Sequence, residues 1–441
     1  MQSGHQDPRA LIEQTLSLCR QQGADAAEAD INTGHGLSVN VRMGQVETIE
    51  HQRDKGLGVT LYLDGCKGSA STSDFSGSAL QATVEAAATI ARYASRDDCA
   101  GLIDPQYLAA AVPDLDLYHH WDIAPEAAIE LALECEHAAR SVDQRLTNSD
   151  GAMVATYAGA HLYGNSHGFI NGWDWSSHSI DCTVIAEENG RMQRDGWHTK
   201  ARARGDLDSV EKVGQEAARR TLSRLNAKKL STRKVPVIFE APVARGLFGA
   251  FISAISGGAL YRRASFLLDQ LGEQVFAPQV QLEEQPHLPR QLGSAPFDGD
   301  GMATRRKHLV RDGVLETYVL SAYSARKLNM TPTGNAGGVH NLVVQTGDQD
   351  LPALLRQMDT GLFITDMIGF GVNQVTGDYS RGASGFWVEQ GEIQYPVEEI
   401  TVAANLKDMF QHIIAIGNDI DPRGNVKTGS VLIENMTIAG E

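Results

Sequence analysis

Almost midway along the chain, the stretch NAKKLSTRK (226–234) is polar and carries no hydrophobic periodicity, so no helix or strand that buries an apolar face can run through it. At 441 residues the chain also exceeds what one core supports, since cores stop growing near roughly 250 to 300 residues. The main boundary therefore falls in that stretch and separates an N-terminal region at 1–228 from a C-terminal domain at 232–441. A connection rich in aspartate and proline at 103–116 opens the N-terminal region to a further division into about 1–115 and 116–228.

Within the N-terminal region one pattern occurs twice. Leu11, Ile12, Leu16 and Cys19 recur at helical spacing over 9–22. Strand-like segments follow at 36–42, 46–51, 56–63 and 66–72, with Leu37, Val39 and Val41 alternating and breaks at Gly44, Lys55-Gly56 and Asp64-Gly65. Leu80, Val84, Ala87, Ala88 and Ala91 then trace one apolar helical stripe. The second run opens at Pro125, a residue suited to a first helical turn, with a helix to about Val142. Strands are predicted near 152–158, 160–164, 179–187 and 191–200, then a helix beginning at Asp208, with Glu211 three residues on in the manner of a capping box.

Beyond the boundary, VPVIF (235–239) reads as a short buried strand, 243–256 as a helix rich in Gly, Ala and Ser, and Asp312-Gly313 and Gln390-Gly391 as hairpin turns. Strands and helices come in runs rather than strict alternation, which makes the fold class α+β. The N-terminal part is expected to hold strand meanders with long helices, and the C-terminal domain mostly antiparallel β structure with helices.

Hydrophobic residues at 42% and charged residues at 21% are ordinary for a globular protein. No apolar run approaches the roughly 18 residues of a membrane span. The N-terminus lacks a basic stretch followed by an apolar core, so the expected location is the cytoplasm. The five cysteines, Cys19, Cys66, Cys99, Cys135 and Cys182, are widely spaced without a C-x-x-C pair and read as reduced packing residues. A net charge of -17 repels phosphate backbones and disfavours nucleic acid as a partner. The densest basic run, Arg219, Arg220, Arg224, Lys228, Lys229, Arg233 and Lys234, spans a helix end and the linker, where cations complement a helix C-terminus.

Metal and nucleophile patterns are weak. His119, His120 and Asp122 flank Trp121 in an expected loop, and adjacent histidines rarely face one ion. Glu134, Glu136 and His137 read as a solvated helix face, because no second Glu/His pair accompanies them. His161 and His167 bracket YGNS and are explained by turn polarity. Ser384 in GASGF lacks the G-x-S-x-G flanks and strand-to-helix context of a nucleophile elbow; a structural loop is expected there, with Gly377, Gly382 and Gly385 supplying unusual backbone angles. TGNAGGVHN (333–341) has no apolar helix after its glycines, so it reads as a flexible loop near a cleft rather than a phosphate cradle.

Longer strings carry more. ARRTLSRLNAKKLSTRKVPVIF (218–239), FLLDQLGEQV (266–275), SAYSARKLN (321–329), TGNAGGVHN (333–341) and GDYSRGASGFW (377–387) give the chain a resemblance to the PmbA/TldE branch of the TldD/PmbA family. It is strong over about 200–441 and less diagnostic before. The resemblance implies a cytoplasmic bacterial peptidase built from two related subunits. In the TldD-like one, HExxxH on a helix and a cysteine near the C-terminus hold zinc, which lowers the pKa of bound water for attack on a peptide carbonyl.

The corresponding helix here, VARGLFGAFISAISGGALYRR (243–263), contains no histidine and no acidic residue. No histidine lies between His198 and His287, and no cysteine follows Cys182. The expectation is that this chain holds no cofactor and that zinc resides in a TldD-like partner subunit. Gly246, Phe251, Ser253 and Ser256 mark the degenerate metal-helix region, with its small residues expected to let another backbone approach closely. His340, Asp378, Tyr379 and Arg381 are the candidate cleft or partner-contact residues, Asp378 and Arg381 being placed to pair. The implied substrates are unfolded or modified peptides, as in leader removal from peptide antibiotics and antitoxin degradation, and a homodimer is open to the isolated chain. Two other readings stand beside this one: a non-catalytic binding protein of the gyrase-modulator type, and an independent homodimeric peptidase with a cryptic site.

Overall fold

The computed structural model describes residues 7–440. Its N-terminal elements are α1 (Pro8–Gln21), β1 (Ala26–Arg42), β2 (Gln45–Leu63), β3 (Cys66–Thr72), α2 (Gly77–Tyr93), α3 (Pro125–Arg140), β4 (Asn148–Asn165), β5 (Ile170–Glu188), β6 (Arg191–Ala201) and α4 (Val210–Ser223). The strands form one antiparallel sheet of order β3-β2-β1-β4-β5-β6. Helices α1 and α2 cover one half with Leu11, Ile12, Leu80 and Val84, while α3 and α4 cover the other with Ala132, Cys135, Val213 and Ala217.

The repeated pattern in the sequence is thus two copies of one unit, each with two helices over three strands. The units are fused rather than separate, because β1 and β4 pair continuously from Glu28↔Asn165 to Val41↔Ala152.

The C-terminal elements are β7 (Arg233–Phe239), α5 (Ala241–Ala254), α6 (Gly257–Tyr261), β8 (Leu282–Glu284), β9 (Lys307–Arg311), β10 (Val314–Leu315), α7 (Ala322–Lys327), β11 (Leu342–Val344), α8 (Leu351–Met358), β12 (Gly361–Ile368), β13 (Asp378–Glu389), β14 (Glu392–Asn405), α9 (Leu406–Gln411), β15 (Ile413–Ile416), β16 (Val426–Lys427) and β17 (Val431–Ala439). The larger sheet runs β14-β13-β12-β7-β17-β15, and an additional β14–β17 pairing closes it on itself and covers the edge of β14. The smaller sheet runs β10-β9-β8-β11-β16. Their shared core holds a ring cluster in which Phe276 stacks on Phe410 at 4.4 Å and meets Phe251 edge-on at 4.9 Å. The fold is mixed α+β with mostly antiparallel sheets; among the named strands of the described residues, β7–β12 and β11–β16 pair parallel.

Several local expectations change. The segments 46–51 and 56–63 are one strand, β2: Gly56 lies opposite Asn32 in an unbroken ladder instead of a turn. Likewise 152–158 and 160–164 merge into β4. Helix α4 is capped by Ser209, whose hydroxyl accepts from the Lys212 N–H, whereas Asp208 pairs with the Lys212 ammonium. The GDYSRGASGFW string is mostly strand β13; only Gly377 has a positive φ, and Gly385 sits where its absent side chain lets β12 approach at a bulge. Both hairpin turns form, with φ of 50° and 76° at Asp312-Gly313 and of 54° and 75° at Gln390-Gly391.

Candidate functional site: the open face of helix α5

Helix α5 follows β7 directly, with Pro242 in its first turn where no amide donor is needed. Ala244, Leu247, Phe248, Phe251 and Ala254 face inward and are buried. Gly246, Gly249, Ser253 and Ser256 recur three or four residues apart along the other side, exposed or half-buried. A Cβ at Gly249 would meet nothing within 4 Å, and one at Gly246 only the Arg381 Nη1 at 3.9 Å. The two hydroxyls fold back onto the helix, Ser253 donating to the Gly249 carbonyl at 2.9 Å and Ser256 to the Ser253 carbonyl at 2.8 Å.

This face does not fit a zinc ion. Zinc is held by imidazole, thiolate or carboxylate, and the outward positions are glycines and serines whose hydroxyls are already engaged with the helix backbone. Phe251 is no part of the face; it belongs to the aromatic core. The expected close approach of another backbone is also not made within this chain, since the glycine stripe looks outward. Among the described residues no group of three or more His, Cys, Asp or Glu side chains is arranged to hold a metal.

Beside the bare stripe stands the β12–β13 connection. Ile368, Phe370 and Val375 are 60%, 110% and 56% exposed, an apolar cluster on an otherwise acidic protein. The connection is tied down: the Phe266 N–H donates to the Gln374 carbonyl at 2.8 Å, and the Ser380 N–H to that of Gly371 at 2.7 Å. Arg381 lies between the connection and α5, its Nε donating to the Gly369 carbonyl at 3.0 Å.

The other candidate residues separate. Asp378 does not pair with Arg381; it accepts from Thr376 at 2.6 Å and Asn405 at 3.2 Å. Those bonds hold its carboxyl below the usual range. Tyr379 is buried against Phe239, and burial pushes its phenol up to about 12. His340 donates its backbone N–H at 2.7 Å to Glu284, with its ring Nδ1 2.9 Å from the same oxygen. Glu284 is fully buried and also accepts from Asn335 and faces Lys307. Burial opposes its charge, yet the His340 and Lys307 contacts hold its carboxyl below the usual range. The TGNAGGVHN loop is therefore pinned from within, by Asn335 and His340 on one carboxylate.

Three further expectations are corrected. The basic run does more than end a helix: Arg220 pairs with Glu240, Arg224 with Asp195 and Asp366, and Lys228 and Arg233 lie over the Tyr395 and Trp387 rings. Glu134 and His137 are exposed, but Glu136 is buried and accepts from the Met43 and Gly44 N–H groups of the β1–β2 turn. His161 lies within β4 and packs on Trp173 at 4.8 Å, not in a turn.

The composite N-terminal sheet and the closed C-terminal sheet with helix α5 define one two-part α+β fold. The chain belongs to the PmbA/TldD family: the PmbA/TldA metallopeptidase domain 1 matches residues 27–91, the central domain 118–225 and the C-terminal domain 232–440. Metalloprotease PmbA of Escherichia coli O157:H7 is 48% identical over 98% of this chain and 97% of its own, and the Haemophilus influenzae PmbA homolog 47% identical over 100% and 98%. A TldD homolog of Haemophilus influenzae is 22% identical over 93% and 90%. Among solved structures, a putative modulator of DNA gyrase from Bacteroides thetaiotaomicron is similar at TM-score 0.93, with 28% identity over 98% of this chain and 99% of the other. TldE from Thermococcus kodakarensis shares the fold at TM-score 0.81, with 19% identity over 98% and 100%.

Sequence reasoning missed the Ile368, Phe370 and Val375 cluster. The signal was present in IGFGVNQV (368–375), apolar residues set among glycines where no strand periodicity explains them.

Proposed function

We propose that this chain is the PmbA/TldE-like subunit of a two-subunit, TldD/TldE-type peptidase, shaping the chamber and positioning unfolded or modified peptides while a TldD-like partner holds the zinc and performs hydrolysis. One observation carries the reading: the outward face of α5 presents Gly246, Gly249 and Ser253, with Ser256 just beyond its end and no metal ligand, beside an exposed apolar loop. A helix stripped of side chains lets a partner backbone approach, and Ile368, Phe370 and Val375 supply apolar area for association. The substrates proposed are leader segments of peptide antibiotics and small unstable proteins such as antitoxins, met in the cytoplasm.

The test is co-expression with a TldD-like chain, followed by sedimentation, metal analysis of each subunit and a peptidase assay. The expected result is a heteromeric complex that hydrolyses peptides, with zinc in the partner only. About one tightly held zinc in this chain, lost on substitution within 243–263, would overturn it, as would a monomer indifferent to the partner. Binding of the isolated chain to gyrase with no peptidase partner required would favour the gyrase-modulator reading instead.

A further inference from the structure

Arg202, just beyond β6, is more than nine-tenths buried, and no carboxylate contacts it among the described residues. Its Nη1 donates to the Ser176 carbonyl at 3.0 Å and its Nη2 to that of Leu292 at 2.9 Å, which joins the N-terminal sheet to the C-terminal domain. Its Nε has no hydrogen-bond partner. A buried guanidinium normally acquires a carboxylate, because carbonyl dipoles offset only part of its desolvation.

Arg202 lies at a notch of about 570 Å³ whose other charged groups are Lys200 and Arg423. The Lys200 side chain is exposed and makes no hydrogen bond or ion pair among the described residues. Arg423 is neutralised by a bidentate pair with Asp421 at 2.8 and 3.1 Å and lies over the Trp197 ring at 3.6 Å. Arg245 also leans on Asp421, at 3.5 Å, and the Lys427 ammonium donates to the Gly424 carbonyl at 3.4 Å. Asp421 therefore serves two arginines, and Asp181 interacts with both Ser179 and Lys200. On a protein of net charge -17 this is a local excess of positive charge. His198, in its midst, is held neutral, its pKa pushed down to about 4 by burial and then by Arg423.

The notch is a junction. Through Lys200, Leu292 and Arg423 it opens onto the cleft of about 1160 Å³ between the α4 side of the N-terminal region and the start of α5. Through Tyr157 and Trp175 it meets a groove of about 400 Å³ on the sheet. In the large cleft Asp208, Glu216 and Asp206 are paired with Lys212, Arg219 and Arg290, which leaves the cleft close to neutral and open to a chain with one negative group.

We propose that the notch is a carboxylate-binding subsite, in which an acidic side chain or the C-terminal carboxylate of a peptide supplies the counter-charge Arg202 lacks and is held at the rim by Lys200. The flanking residues of that peptide extend past Trp175 on one side and into the large cleft on the other. This rests on the reading that the chain handles peptides.

Fluorescence anisotropy of the full chain with three N-terminally labelled octapeptides of Ala, Ser and Phe tests it: one with a central Asp and an amidated end, its Asn counterpart amidated, and the Asn counterpart with a free carboxylate. At least one carboxylate peptide is expected to bind about tenfold tighter than the neutral one, equivalent to about 1.4 kcal/mol. Which of the two does so identifies the source. Lys200→Glu, at an exposed position, is expected to abolish the preference. Equal affinity for all three, binding of none, or a preference that survives Lys200→Glu overturns the proposal. Hydrolysis by the complex with the TldD-like partner is scored separately: its presence without carboxylate preference rejects this subsite alone, and its absence with a preference rejects the peptidase reading alone.

Discussion

Arg220 on helix α4 donates two hydrogen bonds to Glu240, the residue that caps the start of α5, at 2.8 and 3.0 Å. This pair fastens the N-terminal region to the helix that carries the candidate surface. Only 10% and 15% of the two side chains is exposed, and Asp195 adds a second carboxylate 3.6 Å from the guanidinium. Burial works against the charge of Arg220, but Glu240 and Asp195 more than offset it and hold its pKa above the ordinary value.

Arg220→Met leaves Glu240 buried and unpaired, so unfolding free energy is expected to fall by about 3 to 5 kcal/mol. Urea unfolding followed by tryptophan fluorescence measures this. A loss below about 1 kcal/mol would mean that water screens the pair as it does at a surface.

Stability should also depend on pH through Asp298, which is buried and accepts from the N–H groups of Asp300, Met302 and Ala336. Burial, then Asp300, pushes its pKa from 3.8 up to about 6; Asp300 and Glu28 shift the same way, chiefly by burial. A carboxyl with a raised folded pKa holds its proton more tightly when folded. The resulting cost is complete above about pH 6 and disappears as pH falls toward about 4. The wild-type chain is therefore expected to gain up to about 1.4 kcal/mol per pH unit relative to Asp298→Asn on acidification across that window. An unfolding-energy difference that is the same at about pH 4.5 and about pH 6.5 would refute this assignment.

On α5, stability and assembly are expected to part company. Gly249→Ala adds a Cβ into open space and should stabilise the isolated chain by about 1 kcal/mol through helix propensity. Ser253→Leu, at an exposed position, should change its stability by less than about 0.5 kcal/mol. Ala250→Leu enters the core and should cost about 1 to 3 kcal/mol. Ser253→Leu, the bulkiest change on the open stripe, should still weaken association with a TldD-like chain. Thermal melts paired with sedimentation separate the effects, and unimpaired assembly of Ser253→Leu would remove the stripe from the interface.

Phe370→Ser offers an independent check on the loop. Its ring is fully exposed, so the isolated chain should melt as before. Complex formation with the partner should weaken, by a factor of about 10 or more if the ring anchors the contact. Unchanged affinity would assign the apolar cluster to another role.

Much of the fold was legible because it rests on local rules. Apolar periodicity located α1 and α2, Pro125 marked the start of α3, and Asp312-Gly313 and Gln390-Gly391 formed turns because both positions need a positive φ. The strands were drawn too short at Gly56 and Gly159, since a glycine that ends a strand in a hairpin also permits close packing inside a long ladder. Gly159 shows the second case: a Cβ there would lie 2.1 Å from the Thr33 carbonyl.

The sequence by itself determined the family, the α+β class and the lack of zinc ligands on α5, because each depends on which residue types are present and how they are spaced. Only the tertiary structure decided that the N-terminal units share one sheet, that Phe251 faces the core while Gly249 faces out, and that Asp378 turns to Thr376 and Asn405 rather than Arg381. It also revealed Arg202 without a counter-ion. Those outcomes depend on which distant segments meet: Arg202 is anchored by Ser176 and Leu292, 26 and 90 residues away, and no local pattern encodes that neither brings a carboxylate.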